Sequence, residues 1–546
     1  MTIARAHAAS DVLSEAASDV TSVVAWLRGL ATVSPTGRPV SDSRKISAGD
    51  VFFAYAGDES DGRNYIAPAL QNGAAAVVFE ATVSTPPQPA QPFLWNSEWA
   101  VPHLAVVGLK KLAGPIANSF YQQPDRDMRI IAVTGTNGKT SCSQWLGHAL
   151  SQLGQTVGVI GTLGIGIFAP RQPVAFEVTG YTTPDAVLLQ GKLADLQKAG
   201  VQALAIEASS IGLDQGRLNG MHIDIALFTN FTRDHLDYHG DMATYEAAKR
   251  ALFDWPGLQH AVINLDDAMG LRLVQHLRQN GSEAGNEAGN ETALIGYALT
   301  DEAMKSAAAF GDLPILRATA VRSNAGGTIF NVTSPFGSSQ VKTHLVGQFN
   351  VSNVLGILGV LLAKGTKWEV AINTLERLTS VPGRMEQFGG QDAPLIVIDY
   401  AHTPDALEKT LLSLRQVAQQ RGGELWCVFG CGGDRDPGKR PQMGAIAESA
   451  DHVIVTSDNP RSEDPTAIIA QIVGGMTAPT AAQTQQDRAA AILRAVRKAG
   501  KADVVLLAGK GHETYQEIKG KKLPFLDADH AALALASRAT MKGGSV

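Results

Sequence analysis

The stretch from Met128 to Ser141 reads MRIIAVTGTNGKTS and carries the signature of an α/β fold. Its first half is apolar and β-branched, which is typical of a buried strand, and it ends at a glycine-rich turn. After the turn, apolar residues recur at helical spacing, and a glycine that can cap the helix follows them: Cys142, Trp145, Leu146, Leu150, Leu153 and Gly154. A strand, a glycine turn and a helix form the unit from which parallel sheets are built.

The turn itself, Gly135 to Thr140 (GTNGKT), predicts a phosphate-binding site. Its glycines let backbone N–H groups approach phosphate oxygens, and the start of the following helix adds positive potential. Lys139 can reach the outer phosphates, and Thr140 can bind Mg²⁺ through its hydroxyl. The spacing departs from the general phosphate-binding loop, because two residues rather than four separate the glycines. The alternative is a plain glycine turn followed by a chance GKT.

The same alternation extends over most of the chain and predicts an α/β protein of three domains. Strands are expected in TVGVIGTLGI, ALAIEASS, DIALFTNF and HAVINLDD, and the pattern restarts near residue 381 with PLIVIDYAHTP, ELWCVFG, DHVIVTS and ADVVLLAG. We predict a small mixed α/β domain at 1–127, a central domain with a mostly parallel sheet at 128–380, and a third α/β domain at 381–546. The polar stretch 281–292 (GSEAGNEAGNET) is interpreted as a solvated loop.

Composition excludes several classes of protein. Of 546 residues, 45% are hydrophobic and 18% charged, which is enough for buried cores, and the net charge of -6 argues against a nucleic-acid-binding or polybasic membrane surface. Three cysteines provide no disulfide framework and fit a reducing compartment. No segment resembles a signal peptide or a membrane span, so we expect a cytoplasmic protein.

Polar residues lie where the predicted strands end, which is the ligand-binding edge of an open α/β sheet. Glu207 in AIEASS and His235 in TNFTRDHLDYHG could both reach a divalent ion there, although a single Glu at such a position is more often solvated. Lys249 in YEAAKRALF lies on a predicted helix, and spacing alone suggests no more than a solvated lysine.

A set of motifs in fixed order resembles the Mur ligase family, and in particular its diaminopimelate-adding members. The motifs are TGTNGKT, EASS followed by QGR, TNFTRDHLDYHG, YEAAK, GQFNVSN, GRME, DYAHTPDAL, GCGGDRD, DNPR and GKGHE, with DSR, GDVFFA and DGRNYI near the start. The resemblance covers essentially the whole chain. It implies a UDP-binding N-terminal domain, a central ATPase and a C-terminal Rossmann-like domain that closes over the site.

The resemblance also implies roles for individual residues. The expected ATP-binding residues are Gly135, Thr136, Asn137, Gly138, Lys139, Thr140, Asn350, Asn353, Arg384 and Asp399. Those expected to hold the UDP-muramoyl dipeptide are Ser43, Thr182, Thr183, Ser209, Gln215 and Arg217. Those expected to bind diaminopimelate are Arg435, Asp458, Asn459, Arg461, Gly509 and Glu513. Catalysis is expected to rest on Lys139, Lys249, Glu207 and His235.

The implied metal ligands are Thr140, Glu207, His235 and Lys249, the last as a carbamate formed with CO₂. Only a neutral amine adds CO₂, so the site must lower the pKa of this lysine. The family usually has a His after the second Ser of EASS, whereas this chain has Ile211, so no role is assigned to that position.

The implied reaction joins meso-diaminopimelate to UDP-N-acetylmuramoyl-L-Ala-D-Glu, using ATP and Mg²⁺ and passing through an acyl phosphate. Diaminopimelate differs from lysine by a distal carboxylate, which the guanidinium of Arg461 can bind through two parallel hydrogen bonds. The alternative places Arg461 in solvent and uses Asp458 to cap a helix. We expect small-molecule substrates only, no nucleic acid or membrane partner, and a monomer. A lysine-adding or D-alanyl-D-alanine-adding relative, a folylpolyglutamate synthase, a small-molecule kinase and a nucleotide switch are the competing functions.

Overall fold

The computed structural model describes residues 17–30, 32–34, 36–57, 60–83, 91–170, 172, 174–283, 292–324 and 326–543. Most of the polar stretch 281–292 and the N-terminal residues 1–16, about which the sequence made predictions, lie outside these ranges. The chain forms two compact units: unit 1 comprises residues 1–131 and 155–224, and unit 2 comprises residues 132–154 and 225–546.

The strands, in chain order, are β1 (Pro39–Val40), β2 (Val51–Ala54), β3 (Ala76–Glu80), β4 (Thr82–Val83), β5 (Gln91–Pro92), β6 (His103–Val106), β7 (Arg129–Thr134), β8 (Val157–Gly161), β9 (Gly164–Phe168), β10 (Phe176–Glu177), β11 (Ala203–Glu207), β12 (Ile225–Phe228), β13 (His260–Asn264), β14 (Ala293–Ala298), β15 (Ile315–Asn324), β16 (Gly327–Ser334), β17 (Gly337–Thr343), β18 (Glu386–Gly389), β19 (Leu395–Asp399), β20 (Leu425–Phe429), β21 (His452–Thr456), β22 (Gln483–Gln485), β23 (Val504–Ala508), β24 (Tyr515–Ile518) and β25 (Lys521–Pro524). The α-helices are α1 (Val20–Gly29), α2 (Ile66–Gln71), α3 (Leu109–Phe120), α4 (Lys139–Gln152), α5 (Ala186–Lys198), α6 (Ser210–Asp214), α7 (Leu236–His239), α8 (Met242–Arg250), α9 (Ala268–Glu283), α10 (Asp301–Ala307), α11 (Gln348–Ala363), α12 (Trp368–Leu375), α13 (Pro404–Arg421), α14 (Lys439–Ala447), α15 (Pro465–Val473), α16 (Arg488–Lys498) and α17 (Asp527–Gly543).

Unit 1 begins with a parallel four-stranded sheet in the order β1-β2-β3-β6. Alternate residues of β2 enter opposite cores: Val51 and Phe53 pack with α1 and α3, whereas Phe52 and Ala54 pack with α2. This alternation follows from the two-residue period of a strand and explains why the strand itself, VFFA, is apolar at every position. The sheet is therefore covered on both faces.

Unit 1 also contains strands in the order β10-β9-β8-β11, next to residues 129–131 of β7. The sequence predicted TVGVIGTLGI as one strand, and this prediction was wrong. The stretch forms two antiparallel strands, β8 and β9, which pair Gly161 with Gly164 across a tight turn. Gly164 has a φ of 112°, a backbone conformation that L side chains rarely adopt, so this glycine allows the chain to reverse within an apolar run.

Unit 2 starts with residues 132–154, which carry the end of β7, the glycine turn and α4, and continues with β12 to β17 in sequence order across the sheet. The pairs from β12 to β15 are parallel, and β15, β16 and β17 are antiparallel. The predicted hairpin in GGTIFNVTSPFGSSQVKTHL is thus confirmed as β16 and β17. β12 is followed directly by Thr229 and Asn230, and β13 ends at Asn264, so polar residues lie at the ends of both strands.

The remainder of unit 2 carries a six-stranded sheet in the order β18-β19-β23-β20-β21-β22, parallel except for the pair β18 and β19. Its central strands are buried on both faces: Cys427 and Phe429 of β20 point into one core, and Trp426 and Val428 into the other. The restart of the pattern near residue 381 therefore corresponds to a second doubly covered sheet. Cys142, Cys427 and Cys431 are all buried and unbridged.

Candidate active site

The predicted phosphate-binding turn joins β7 to α4 and requires its glycines. Gly135 has a φ of 147°, and a Cβ at this position would stand 1.9 Å from Thr229 Oγ1. Gly138 has a φ of 86°, and its Cβ would stand 2.7 Å from Asn353 Oδ1. Neither glycine can be replaced without moving these neighbours.

The end of β12 holds the turn in place through backbone and amide hydrogen bonds. The N–H of Thr136 donates to the carbonyl of Asn230 at 2.8 Å, and the N–H of Asn137 donates to Asn230 Oδ1 at 2.9 Å. Asn137 also donates through Nδ2 to the carboxylate of Asp405, at the start of α13, at 3.1 Å. The turn is therefore braced by residues far apart in the sequence.

Two lysines meet at one carbonyl of the turn. Lys139 Nζ donates to the carbonyls of Gly135 (2.7 Å) and Thr136 (2.8 Å), and Lys249 Nζ donates to the carbonyl of Gly135 (2.9 Å). Lys249 is only 1% exposed, and its Nζ lies 4.4 Å from the centre of the Tyr245 ring. Burial holds the pKa of Lys249 well below its usual value, and the charge of Lys139 lowers it further. The interpretation of Lys249 as a solvated lysine was wrong.

Thr140, the first-turn threonine of α4, is buried and accepts a hydrogen bond from Arg384 Nη2 at 3.1 Å. The Arg384 guanidinium also lies over the ring of Tyr400, 4.4 Å from its centroid. The Asp399 carboxylate accepts hydrogen bonds from the N–H groups of Met385 and Ala401, both at 2.9 Å, and burial raises its pKa. Asp399 thus holds the backbone beside Arg384.

Asn350 and Asn353 lie on the first turns of α11, and both are buried. Asn350 Nδ2 donates to the carbonyl of Val346 at 2.8 Å, and the Asn353 amide lies against Gly138. The structure therefore brings Asn353, one of these two predicted ATP-binding residues, directly to the phosphate-binding turn.

His235 precedes α7 with a left-handed backbone, φ 53°, and its Nε2 lies 3.5 Å from Asp234 Oδ2. Desolvation lowers the pKa of His235, and it lowers that of His402 to about 4, with the charge of Lys439 adding to the second effect. A neutral imidazole keeps the lone pair that a metal ligand needs.

In unit 1, Glu207 ends β11 and is completely buried. Its carboxylate accepts hydrogen bonds from the N–H of Thr162 (2.9 Å) and from Thr162 Oγ1 (3.1 Å). A Cβ on Gly161 would stand 2.1 Å from Glu207 Oε1, so a glycine leaves room for the carboxylate. The interpretation of Glu207 as a solvated residue was wrong.

Four of the residues predicted to hold the dipeptide cluster around Glu207 in unit 1. Thr183 Oγ1 donates to the carbonyl of Glu207 at 2.7 Å and lies 3.0 Å from Ser209 Oγ. Arg217 donates through Nη1 to the carbonyl of Thr183 (2.8 Å) and through Nε to Gln215 Oε1 (2.7 Å). Ser209 also caps α6.

The other two residues of that predicted set, Thr182 and Ser43, make contacts outside this cluster of four. Thr182 Oγ1 lies 3.1 Å from Thr162 Oγ1, which is itself bonded to Glu207. Ser43 lies in a short 3₁₀ turn after β1, is buried, and accepts a hydrogen bond from Asn72 Nδ2 at its carbonyl (2.9 Å).

The predicted diaminopimelate residues meet at the ends of β21 and β23 in unit 2. Asp458 and Asn459 are buried, and Asn459 Nδ2 donates to Glu513 Oε2 at 2.8 Å. Gly509 has a φ of 109°, and its Cβ would stand 2.7 Å from Asp458 Oδ2. Arg461 Nη1 donates to the carbonyl of Gly433 at 2.7 Å.

Two observations bear on the alternative interpretation of this segment. The helix that follows, α15, is capped by Asp464 and not by Asp458, and the side chain of Arg461 is only 23% exposed. The alternative interpretation, in which Asp458 caps a helix and Arg461 lies in solvent, was therefore wrong. Arg435 is exposed, and its Nη1 donates only a long hydrogen bond (3.3 Å) to the carbonyl of Asp434.

Sequence reasoning missed two charged residues of this pocket. Lys510, within the quoted GKGHE motif, is completely buried and donates through Nζ to Asn459 Oδ1 (3.1 Å) and Glu513 Oε2 (2.9 Å). Glu517 lies on β24, with Oε2 3.5 Å from Arg461 Nε. The position of Lys510 between two glycines, directly after a buried strand, could have indicated its role. No feature of the sequence indicated Glu517.

No group of three or more His, Cys, Asp or Glu side chains within the described residues could hold a metal ion. The predicted Mg²⁺ set contains only two residues of these types. Glu207 lies in unit 1, and Thr140, His235 and Lys249 lie in unit 2. The hydroxyl and carboxylate oxygens of this set suit Mg²⁺ by their chemistry. In the part of the chain that the structure describes, we find no helix long and apolar enough to cross a membrane.

A doubly wound α/β architecture with a glycine turn before α4 defines a nucleotide-binding protein. Three family models match successive segments: "Mur ligase family, catalytic domain" at 40–121, "Mur ligase middle domain" at 133–361 and "Mur ligase, glutamate ligase domain" at 383–511. The chain belongs to the Mur ligase family and has its three-domain architecture.

Within that family, two similar curated proteins carry the same name. A UDP-N-acetylmuramoyl-L-alanyl-D-glutamate–2,6-diaminopimelate ligase from Janthinobacterium sp. (strain Marseille) is 62% identical over 96% of this chain and 99% of its own length. The protein of the same name from Ralstonia nicotianae (strain ATCC BAA-1114 / GMI1000) is 53% identical over 94% and 96%. A solved structure bearing this name is 36% identical, covers 92% of this chain and 95% of its own, and superposes with a TM-score of 0.61.

Proposed function

We propose that the protein is an ATP-dependent amide ligase that joins meso-2,6-diaminopimelate to UDP-N-acetylmuramoyl-L-Ala-D-Glu and forms ADP and phosphate. The observation that carries the proposal is the group of polar residues at the ends of β21 and β23. It contains the buried Asp458, the hydrogen-bonded pair Asn459 and Glu513, and the guanidinium of Arg461, which the carbonyl of Gly433 fixes. The names of the similar proteins support the same substrate pair.

ATP binds at the turn between β7 and α4. Backbone N–H groups at the start of α4 face the phosphates, and Lys139 exchanges the carbonyls of Gly135 and Thr136 for phosphate oxygens. Arg384 lies beside Thr140 and adds a second positive charge. Thr140 and His235, which lie in unit 2 with the phosphate-binding turn, are residues that would hold Mg²⁺, and a bound Mg²⁺ would neutralise charge on the transferring phosphoryl group.

Lys249 carries a carbamate in this proposal. Its burial and lowered pKa favour the neutral amine, which attacks the carbon of CO₂, forms an N–C bond and releases one proton. The product is an anionic carbamate, which takes the place of a Lys249 ammonium that burial would strip of its hydration. The carbamate nitrogen keeps one N–H, so Lys249 can still donate to the carbonyl of Gly135.

The chain contributes positioning and charge to the two steps of the reaction. The carboxylate of the D-glutamyl residue attacks the γ-phosphorus of ATP, ADP leaves, and an acyl phosphate remains. An amine of diaminopimelate then attacks the acyl carbon, and phosphate leaves. Thr183, Ser209 and Arg217 hold the dipeptide, while Lys139 lowers the repulsion between the two anions that must meet.

Diaminopimelate is distinguished from lysine at its distal end. Lysine ends in an ammonium alone, whereas diaminopimelate also carries a carboxylate there. Arg461 Nη2 makes no hydrogen bond to any described residue, so this edge of the guanidinium is available to a carboxylate. Asp458 and Glu513 supply negative charge for the ammonium groups.

We also propose the boundaries 1–127, 128–380 and 381–546 for the three domains, a cytoplasmic location, and a monomer acting only on small molecules. The buried thiols and the negative net charge are consistent with this setting.

One assay separates the candidate functions. The protein is given ATP, Mg²⁺ and UDP-N-acetylmuramoyl-L-Ala-D-Glu, with meso-diaminopimelate present or absent, and phosphate release and product mass are measured. We expect phosphate release that depends on diaminopimelate, together with an amide product. Phosphate release or phosphoryl transfer without an amide product would instead support a kinase or a nucleotide switch.

A further inference from the structure

Arg461 has an unusual backbone conformation for its residue type. Its φ is 50°, in the left-handed region that favours glycine. A residue with a side chain persists there only when surrounding contacts impose the conformation. The direction of the Arg461 side chain is therefore set by its neighbours.

The neighbour that imposes it is the hairpin of β24 and β25. The N–H of Arg461 donates to the carbonyl of Glu517 at 3.0 Å, and the N–H of Lys519 donates to the carbonyl of Arg461 at 2.7 Å. The hairpin turns through Lys519 (φ 49°) and Gly520 (φ 74°), two consecutive left-handed residues typical of a tight two-residue turn. Both the N–H and the carbonyl of Arg461 are thus hydrogen-bonded to this hairpin.

The same element also holds the guanidinium. Glu517 Oε2 lies 3.5 Å from Arg461 Nε, and both side chains are about a quarter exposed. On the other side, Nη1 donates to the carbonyl of Gly433, and a Cβ on Gly432 would stand 2.9 Å from Nη1. With these contacts at Nε and Nη1, Nη2 makes no hydrogen bond to any described residue.

Glu517 also reaches a second residue of the pocket. Its N–H donates to Asn459 Oδ1 at 2.9 Å, and Lys510 Nζ donates to the same oxygen at 3.1 Å. Two donors at the amide oxygen fix the orientation of Asn459, so its Nδ2 must face Glu513. The backbone N–H, the backbone carbonyl and the carboxylate of Glu517 are therefore all used to shape one pocket.

We propose that Glu517 is a specificity-determining positioning residue, which aims Arg461 at the distal carboxylate of the amino-acid substrate. This inference rests on the proposed function. Glu517 acts through Arg461, so the effect of removing its charge should depend on the presence of the guanidinium. It should alter the use of diaminopimelate without altering the use of ATP.

A double-mutant cycle tests the proposal. Steady-state kinetics with diaminopimelate and with L-lysine are measured for the wild type, Glu517→Gln, Arg461→Ala and the double variant. Glutamine keeps the size and backbone bonds of Glu517 and removes only the charge. Glu408→Gln, an exposed change on α13 in the same unit, is the matched control. Thermal unfolding of every variant confirms that the fold is retained.

We expect Glu517→Gln to raise the KM for diaminopimelate about threefold to fivefold, the size expected for a partly exposed ion pair. The KM for ATP should stay unchanged, and the preference for diaminopimelate over lysine should fall by the same factor. In the Arg461→Ala background the second substitution should have no further effect. If Glu517→Gln has the same effect in both backgrounds, or no effect in the wild type, the proposed role of Glu517 is refuted while the proposed function stands. A wild-type protein that makes no diaminopimelate product would overturn the proposed function and this inference with it.

Discussion

Replacing Lys249 by methionine tests the chemistry of the phosphate-binding turn most sharply. Methionine keeps the length and the packing against Tyr245 but removes the amine that would carry a carbamate. We expect catalytic activity to fall by at least about 100-fold, the range seen when one preorganised electrostatic group is removed from an active site. Stability should hardly change, because the hydrogen bond lost to Gly135 contributes only about 1 kcal/mol and removing a buried amine offsets it.

Alanine at the same position gives a contrasting outcome. Lys249 is 1% exposed, so the truncation leaves a cavity and should destabilise the fold by about 2–4 kcal/mol, as for other long buried side chains. That cavity can admit acetate, whose oxygens replace those of the carbamate. We expect added acetate to restore part of the activity of Lys249→Ala and none of Lys249→Met, in which the space is filled.

The assay is amide formation followed by product mass, with melting temperatures measured in parallel. Wild-type protein assayed in buffer stripped of CO₂ should lose activity and recover it when bicarbonate is added. Near-wild-type activity of Lys249→Met would refute the carbamate and leave Lys249 as a structural donor to the turn.

Two further predictions concern other parts of the chain. Hydrogen bonds to Asp125 and Asp224 raise the pKa of His222 to about 9, although desolvation opposes this shift. The positive charge of His222 therefore stabilises the fold fully below pH 6.5, and this stabilisation is lost as the pH rises through 9. The melting temperature should therefore fall between pH 6.5 and 9.5 by an amount equivalent to about 1 kcal/mol after solvent screening, and His222→Gln should remove this fall; an equal fall in both proteins would contradict it. Arg384→Ala removes the hydrogen bond to Thr140 and should raise the KM for ATP about tenfold while leaving the KM for diaminopimelate unchanged. Equal changes in both constants would show that Arg384 acts on the fold and not on the nucleotide.

The sequence predicted those features that local patterns determine. The strand, turn and helix around Gly135 follow from apolar periodicity and glycine placement, and so does the second sheet that begins near residue 381. One predicted strand in unit 1 proved to be a hairpin of two strands. Gly161 and Gly164 lie within an apolar run, and periodicity does not show where such a run reverses.

Burial of charged side chains could not be predicted in the same way. Lys249 is buried because its amine meets a carbonyl 114 positions away, and Glu207 is buried because Thr162, in the turn between β8 and β9, supplies two donors. Glu517 was missed since its partner, Arg461, precedes it by 56 positions, and their contact depends on how the hairpin packs. Long-range pairing decides these contacts, and a single sequence carries no direct record of it.

The most direct test of the account compares meso-diaminopimelate with L-lysine as substrates for the wild type and for Arg461→Ala. A charge-assisted hydrogen bond to the distal carboxylate contributes about 1.5–3 kcal/mol, so the wild type should prefer diaminopimelate by more than about tenfold in kcat/KM. Arg461→Ala should lose that preference and keep its KM for ATP. Equal use of the two amino acids by the wild type, or an unchanged KM for diaminopimelate in the variant, would contradict the assignment of Arg461 as the residue that recognises the substrate.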